Sequence, residues 1–166
     1  MSGGVRLRLE YDDLEARKRL EDALARGEDL RPLFRQVGVW MAFKSVEKTF
    51  RARGRPKKWE PLHEVTLALR RWREKKFGRP DYTEKVLEVS GDLRKNWGYQ
   101  VRPDHVDIGS HMEYADTHQF GKTLKAPKWM RGKGTVRVGE RRLIEFHPDD
   151  LRQCDKFADA FLEKLI

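Results

Sequence analysis

A long amphipathic stretch between residues 29 and 50 most strongly constrains how this chain can fold. Asp29 is placed to cap a helix, and Pro32 falls in its first turn, where amide donors lack intrahelical partners in any case. Apolar residues recur on two adjoining stripes: Leu30, Leu33, Phe34, Val37 and Met41, then Val39, Phe43, Val46 and Phe50. This width predicts a central helix covered by a sheet and also by another helix or another subunit.

The rest of the pattern predicts a single α+β domain over residues 1–166. The predicted elements are a strand at 5–11, helices at 14–24 and 63–76, a β-hairpin at 98–102 and 105–109, a second hairpin at 135–138 and 142–146, and a helix from Pro148 onward. Strands that follow one another through short turns pair antiparallel. We therefore expect an antiparallel sheet with helices packed on one side.

The net charge of +9 is concentrated in the middle of the chain. Residues 1–30 carry −2 and residues 143–166 carry −3, which leaves +14 for residues 31–142. A field of one sign costs self-repulsion unless a partner offsets it, so a polyanion such as nucleic acid is the first expectation. The alternative is a basic face that is simply solvated. Residues 51–58, RARGRPKK, are predicted to form an exposed loop able to contact phosphate.

The single cysteine, Cys154, has no partner for an intramolecular disulfide. It falls on the apolar side of the predicted last helix, which indicates a buried thiol acting as a small hydrophobe. The sequence also contains no apolar run typical of a signal peptide or a membrane span, so we expect folding in a reducing cytoplasm.

Residues 105–118 contain the groups that a metal or acid/base site would need: His105, Asp107, His111, Glu113, Asp116 and His118. On a helix, His111 and His118 would be about 10 Å apart along the axis, too far to bind one zinc ion. A metal-dependent nuclease is therefore the weaker alternative. Tyr114, Ala115 and His118 share one helical face, which favours a structural histidine. We expect no catalytic residue, no cofactor and no metal.

Gly121 is predicted to end that helix and to release a basic arm over residues 122–142. The basic residues of the arm are Lys122, Lys125, Lys128, Arg131, Lys133, Arg137, Arg141 and Arg142, with only Glu140 against them.

Several short motifs, taken in order, resemble those of the phage virion morphogenesis, or tail-completion, family of Mu-like and related tailed phages. They are Trp59-Glu60-Pro61-Leu62 with Thr66, Ser90-Gly91-Asp92-Leu93-Arg94, Val106-Asp107-Ile108-Gly109-Ser110, Tyr114-Ala115, and His118-Gln119-Phe120-Gly121. The resemblance covers roughly residues 5–160. One departure is that the family's arginine-proline-phenylalanine-leucine run corresponds here to Arg141-Arg142-Leu143-Ile144, without the proline.

The resemblance implies a non-enzymatic virion protein with a tail-terminator-like α+β fold, made in the host cytoplasm and located at the tail terminus or neck. Related proteins form homo-oligomeric rings, often sixfold, that contact tail tube protein and head–tail connector proteins around the genomic DNA, with no membrane involved. The expected interface residues are Tyr114, His118, Gln119, Phe120, Gly121 and Arg141. The residues expected to face DNA or an acidic partner are Lys122, Lys125, Lys128, Arg131 and Lys133. A free, sequence-independent nucleic-acid-binding protein is the main alternative.

Overall fold

The computed structural model describes residues 14–62, 64–78, 85–125 and 134–165. The helices in these ranges are α1 (Leu14–Ala25), α2 (Arg31–Val39), a π-helical segment (Trp40–Ser45), α3 (Val46–Ala52), α4 (Glu64–Phe77), α5 (Asp92–Lys95), α6 (Ala115–Phe120), α7 (Pro148–Leu162) and a 3₁₀ turn (Glu163–Leu165). The strands are β1 (Trp97–Val101), β2 (Val106–Ser110), β3 (Lys122–Lys125) and β4 (Thr135–Val138). The predicted strand at 5–11 lies outside the described residues.

The predicted central helix is confirmed as the run of α2, the π-helical segment and α3. On one side α2 packs against β1 and β2, and it also packs against α7. Met41, Val46 and Phe50 from this run are fully buried in the main hydrophobic core. Coverage is incomplete, however, because Val39 and Phe43 from the second stripe remain exposed.

Gly38 brings α2 unusually close to the β1–β2 hairpin. A Cβ atom at this position would lie 2.5 Å from Cδ2 of Tyr99, a distance that real Cβ atoms do not tolerate. The absent side chain therefore makes room for the Tyr99 ring, which in turn meets the Phe43 ring edge to face at 6.3 Å between centroids.

Two antiparallel hairpins make up the β-structure of the described residues. β1 pairs with β2 in a register that runs from Trp97 opposite Ser110 to Val101 opposite Val106. β3 pairs with β4 from Lys122 opposite Val138 to Lys125 opposite Thr135. The predicted α+β class with antiparallel strands is confirmed, and so is the first predicted hairpin.

The second predicted hairpin is wrong. β4 pairs with β3 instead of with residues 142–146, which form no strand. Leu143 and Ile144 are adjacent and both fully buried, whereas a strand at a surface would turn one of them outward. Their backbone groups are bound by a side chain, as described below.

The last helix is confirmed as α7, which begins at Pro148. Cys154 is buried on its inner face, as predicted, together with Ala158 and Leu162. Burial raises the pKa of the Cys154 thiol to about 12, with smaller contributions from nearby aspartates. The thiol is therefore protonated and packs as an apolar group.

Candidate functional site

Gln119 holds α6 against residues 141–144, and we call this arrangement the α6 joint. The side-chain oxygen of Gln119 accepts hydrogen bonds from the backbone amides of Leu143, at 2.8 Å, and Ile144, at 3.2 Å. Its side-chain nitrogen donates to the Ile144 carbonyl at 2.9 Å. The buried Gln119 amide thus provides the donor and acceptor groups that a neighbouring strand would otherwise provide for these two residues.

The backbone on either side completes the α6 joint. The Arg141 amide donates to the His118 carbonyl at 2.6 Å, and the Trp59 indole donates to the Arg142 carbonyl at 3.1 Å. Residues 141–144 are thus bound through polar contacts to α6 and to Trp59 rather than to a sheet. The chain enters and leaves the β3–β4 hairpin from this fixed base.

Gly121 ends α6, as predicted, and sets the direction of the hairpin. Its φ of 65° is a conformation that residues with a side chain rarely adopt. An added Cβ would also lie 3.0 Å from the Glu140 nitrogen and 3.1 Å from the Val138 oxygen. Both the dihedral angle and the close approach of the second strand therefore require glycine here.

Large apolar side chains are exposed next to the α6 joint. Phe120, at the end of α6, is 57% exposed, and Tyr114 and Leu124 are also exposed. The Tyr114 ring meets the His118 ring edge to face at 6.1 Å between centroids. Adjacent positions on α6 therefore point in opposite ways, since Gln119 faces the interior and Phe120 faces solvent.

His118 and Arg141 form the polar part of the same region. Nδ1 of His118 and Nε of Arg141 are buried without a hydrogen-bond partner. Burial lowers the pKa of His118, and the positive charge of Arg141 lowers it further. A neutral, largely enclosed imidazole fits the expected structural histidine.

The basic residues expected to face DNA or an acidic partner are only partly placed. Lys122 and Lys125 are exposed on β3, and Lys122 forms an ion pair with Asp116 that holds the pKa of that carboxyl below its usual range. Lys128, Arg131 and Lys133 lie outside the described residues. Arg137 on β4 is a further exposed basic residue of the hairpin.

Gln119 and Gly121 of the α6 joint belong to one of the short motifs that resemble a known protein family. The chain matches the phage virion morphogenesis family over residues 11–163. It belongs to that family. No curated protein and no solved structure is detectably similar to it. Family membership makes this a virion-associated protein and points to a structural, non-enzymatic role in the phage particle.

The other family motifs of this virion morphogenesis protein also serve the fold. Trp59 packs edge to face on buried Phe50 at 5.2 Å between ring centroids. Arg94, from the second motif, binds Glu47 through two nitrogens and Glu88 through a third contact. The Arg94 guanidinium keeps the pKa of Glu47 below its usual range. These motifs therefore hold α3, α5 and the segment around Trp59 in place.

A buried ion-pair network surrounds Asp150, and no sequence pattern predicts it. The Asp150 carboxylate is 0% exposed and accepts hydrogen bonds from Trp40 Nε1 at 2.9 Å, Ser45 Oγ at 2.8 Å and Arg55 Nη2 at 3.0 Å. Trp40 and Ser45 lie at the two ends of the π-helical segment. The network thus joins that segment, the loop after α3 and the start of α7.

Arg55 corrects the interpretation of residues 51–58 as a wholly exposed phosphate-binding loop. Its side chain is only 15% exposed, and it also donates to the Ser45 carbonyl at 2.9 Å. A charge committed to an interior carboxylate is not offered to phosphate. Arg53, Lys57 and Lys58 from the same loop are exposed, as predicted.

The histidine-rich stretch does not assemble into a metal centre in the part of the chain that the structure describes. Within these ranges, no three His, Cys, Asp or Glu side chains are grouped so that they could hold an ion. His105 contacts Asp104 at the turn between β1 and β2, whereas His111 lies before α6 begins. The helices of the described ranges are all too short or too polar to cross a membrane.

Proposed function

We propose that this protein is a structural component of the phage tail terminus or head–tail neck, where its copies form a ring that completes the tail and joins it to the head connector. The observation that carries the proposal is the α6 joint in a chain of this family. It presents exposed Phe120, Tyr114 and Leu124 beside a rigidly held backbone. Exposed aromatic residues on a fixed base are typical of protein–protein contact surfaces.

A ring requires a head-to-tail contact between two different surfaces of one chain, arranged so that the rotation from copy to copy closes on itself. The α6 joint and the β3–β4 hairpin would supply one surface, with Tyr114, His118, Phe120 and Arg141 at its centre. Gln119 and Gly121 would contribute by fixing the backbone, since the Gln119 amide is consumed inside the joint. Tail tube protein and connector proteins would bind the two faces of the ring.

The basic residues fit a channel for DNA. A ring around duplex DNA needs positive charge without base-specific contacts, because phosphate contacts are independent of sequence. Lys122, Lys125 and Arg137 on the β3–β4 hairpin are exposed and positively charged. The proposal assigns them to the inner surface of the ring or to an acidic partner.

The test is the native mass of the purified protein, alone and with tail tubes, together with its presence in virions. The expected result is a closed oligomer, for example six copies of the 19.7 kDa chain, at one end of the tail. A strict monomer that neither joins tails nor occurs in virions would refute the proposal. Salt-sensitive binding of duplex DNA by that monomer would instead favour the free nucleic-acid-binding alternative.

A substitution pair tests the assigned surface. Phe120→Ala should raise the protein concentration needed for assembly by at least about tenfold. It should leave the free energy of unfolding nearly unchanged, because the Phe120 side chain is mostly solvated in the single chain. Val89→Ala, which truncates another exposed apolar side chain in a different part of the fold, is the control. Equal assembly of both variants and the unsubstituted protein would remove α6 from the interface.

A further inference from the structure

Helix α4 contributes nothing to the interior that the structure describes. Neither hydrophobic core contains an α4 residue, either among the buried side chains or among those packed against them. None of its residues with described exposure is buried. Arg70 of α4 donates a hydrogen bond to the Lys85 carbonyl at 3.0 Å. With 14 residues, such a helix is of marginal stability in water when it stands alone.

The outer side of α4 carries an aromatic pair with a lysine over it. Trp72 is 51% exposed and Phe77 is 57% exposed, and their rings meet edge to face at 6.3 Å between centroids. Nζ of Lys76 lies 4.7 Å from the Trp72 ring centroid and 5.6 Å from that of Phe77. Aromatic side chains with cationic neighbours are enriched in the centres of protein interfaces.

The charge of α4 is strongly positive. Its basic residues are Arg70, Arg71, Arg73, Lys75 and Lys76, against Glu64 and Glu74. Phosphate contacts would use the charge of α4 but not the rings of Trp72 and Phe77, because phosphate oxygens are bound by charged and polar groups. A protein surface with acidic and apolar groups side by side fits both properties.

Such a surface exists on the same chain, at the end of α1. We call it the acidic turn; it comprises Glu21, Asp22 and Glu28, with Arg26 as the only basic residue from 21 to 28. The next carboxylate, Asp29, is engaged by Arg31 at 2.7 Å and is not counted. Leu24 is exposed among these carboxylates. The turn is fixed in shape, because the Glu28 amide donates to the Ala23 carbonyl at 3.0 Å and Ala23 is fully buried in the second core.

We infer that α4 docks onto the acidic turn of a second copy of this chain. Lys75 and Lys76 face Asp22 and Glu28, and the Trp72–Phe77 pair covers Leu24. The contact uses two different surfaces, as a head-to-tail ring requires, and so it rests on the ring of the proposed function. It explains why a basic helix carries exposed aromatic residues and why acidic residues cluster at the end of α1.

Two charge-reversed variants test the contact. The first is Lys75→Glu with Lys76→Glu, and the second is Asp22→Lys with Glu28→Lys. Each places like charges across the interface, so each alone should need at least about tenfold more protein to assemble, as measured by native mass spectrometry of the full chain with or without tail tubes. An equimolar mixture should regain assembly, because every reversed α4 then meets a reversed acidic turn on its neighbour.

The mixture separates the possible occupants of α4. If α4 covers a segment of its own chain, or DNA, mixing the two variants restores nothing, and the inference is overturned. It is also overturned if either variant assembles like the unsubstituted protein. Lys57→Glu with Lys58→Glu makes the same charge change on an exposed loop and should assemble normally. Circular dichroism checks that each variant is folded, and Trp72→Ala with Phe77→Ala provides a charge-neutral second test with the same expected loss.

Failure of the proposed function looks different. In that case the unsubstituted protein itself remains monomeric and is absent from virions. If the unsubstituted protein forms rings while both charge-reversed variants also form them, the ring stands and only the α4 contact is refuted.

Discussion

Replacing Asp150 with alanine should be among the most damaging single changes to the stability of this fold. The carboxylate is fully buried and holds three donors, from Trp40, Ser45 and Arg55. Removing one partner of a buried ion pair costs about 3–5 kcal/mol, because the other charge stays desolvated. Arg55 keeps the Ser45 carbonyl at 2.9 Å and a weak contact to Asp149 at 3.4 Å. We therefore expect the lower end, about 3 kcal/mol.

Urea unfolding followed by tryptophan fluorescence measures this loss, with all variants at the same protein concentration. At about 2–4 °C per kcal/mol for a chain of this size, the thermal midpoint should fall by roughly 6–12 °C. Asp149→Ala is the matched control, since its side chain is 41% exposed and its ion pair with Lys48 lies at the surface. That change should cost about 0–1 kcal/mol.

If Asp150→Ala costs no more than Asp149→Ala, the Asp150 network is not a buried ion pair in solution. Equal costs would mean that Arg55 is hydrated in solution and that the network contributes no more than a surface pair. A double substitution with Arg55→Leu should recover part of the loss, because it removes the stranded charge. A fully additive double variant would show that the two residues are not coupled.

Three further predictions follow from local geometry. Gly121→Ala should lower the free energy of unfolding by about 1–3 kcal/mol, because φ is positive and the new Cβ would meet backbone atoms at 3.0 Å. Gly139→Ala is the control, since its Cβ would meet nothing within 4 Å, and it should cost under about 0.5 kcal/mol. Equal costs would mean that Gly121 is not required by its dihedral angle and close contacts. Burial lowers the pKa values of His118 and His147, so the unfolded chain binds more protons than the folded chain. The free energy of unfolding should therefore fall as the pH falls below about 6.5. His118→Gln should make this fall shallower between about pH 7 and 5, and an unaltered pH profile would exclude His118 as its source. Cys154, with its pKa raised to about 12, should resist thiol reagents at about pH 8 until the protein unfolds, and rapid reaction of the folded chain would contradict its burial.

The elements that the sequence predicts well are those whose signal is local and long. The central helix and α7 each carry several turns of apolar periodicity, and the hairpin of β1 and β2 turns at Pro103 and Asp104. The end of α6 at Gly121 was predictable for the same reason. In each case the residues that determine the element are neighbours in the sequence.

The second hairpin failed because its cause is distant. Residues 142–146 have an apolar content that suits a strand, but the groups that satisfy Leu143 and Ile144 come from the side chain of Gln119, about 25 positions earlier. Nothing in the local pattern distinguishes a backbone bound by a side-chain amide from one bound by a strand. The true partner of β4 was likewise hidden, because the short, fully exposed β3 carries little alternation.

The Asp150 network shows the same limit for charged residues. Asp150 has a sufficient local explanation at the start of α7, where a carboxylate favours the helix dipole, and Arg55 has one in a basic loop. Only the fold brings them to 3.0 Å, across 95 positions of sequence. When a charged residue already has a role in its own helix or loop, the sequence gives no sign that it also binds a distant residue.

The family motifs therefore contain two kinds of side chain, those that hold the fold together and those that are left exposed for a partner. Gln119, Trp59 and Arg94 lie in the motifs and are used to hold elements together. Exposed side chains stand beside them in the same motif, as Phe120 does next to Gln119, or outside the motifs, as Trp72 does on α4. A virion protein that contacts other surfaces of the same particle needs a stable fold more than it needs invariant contact residues. The proposed contacts therefore predict that substitutions of Gln119, Trp59 and Arg94 act first on folding and only then on assembly, whereas substitutions of Phe120 and of the exposed α4 residues act on assembly alone.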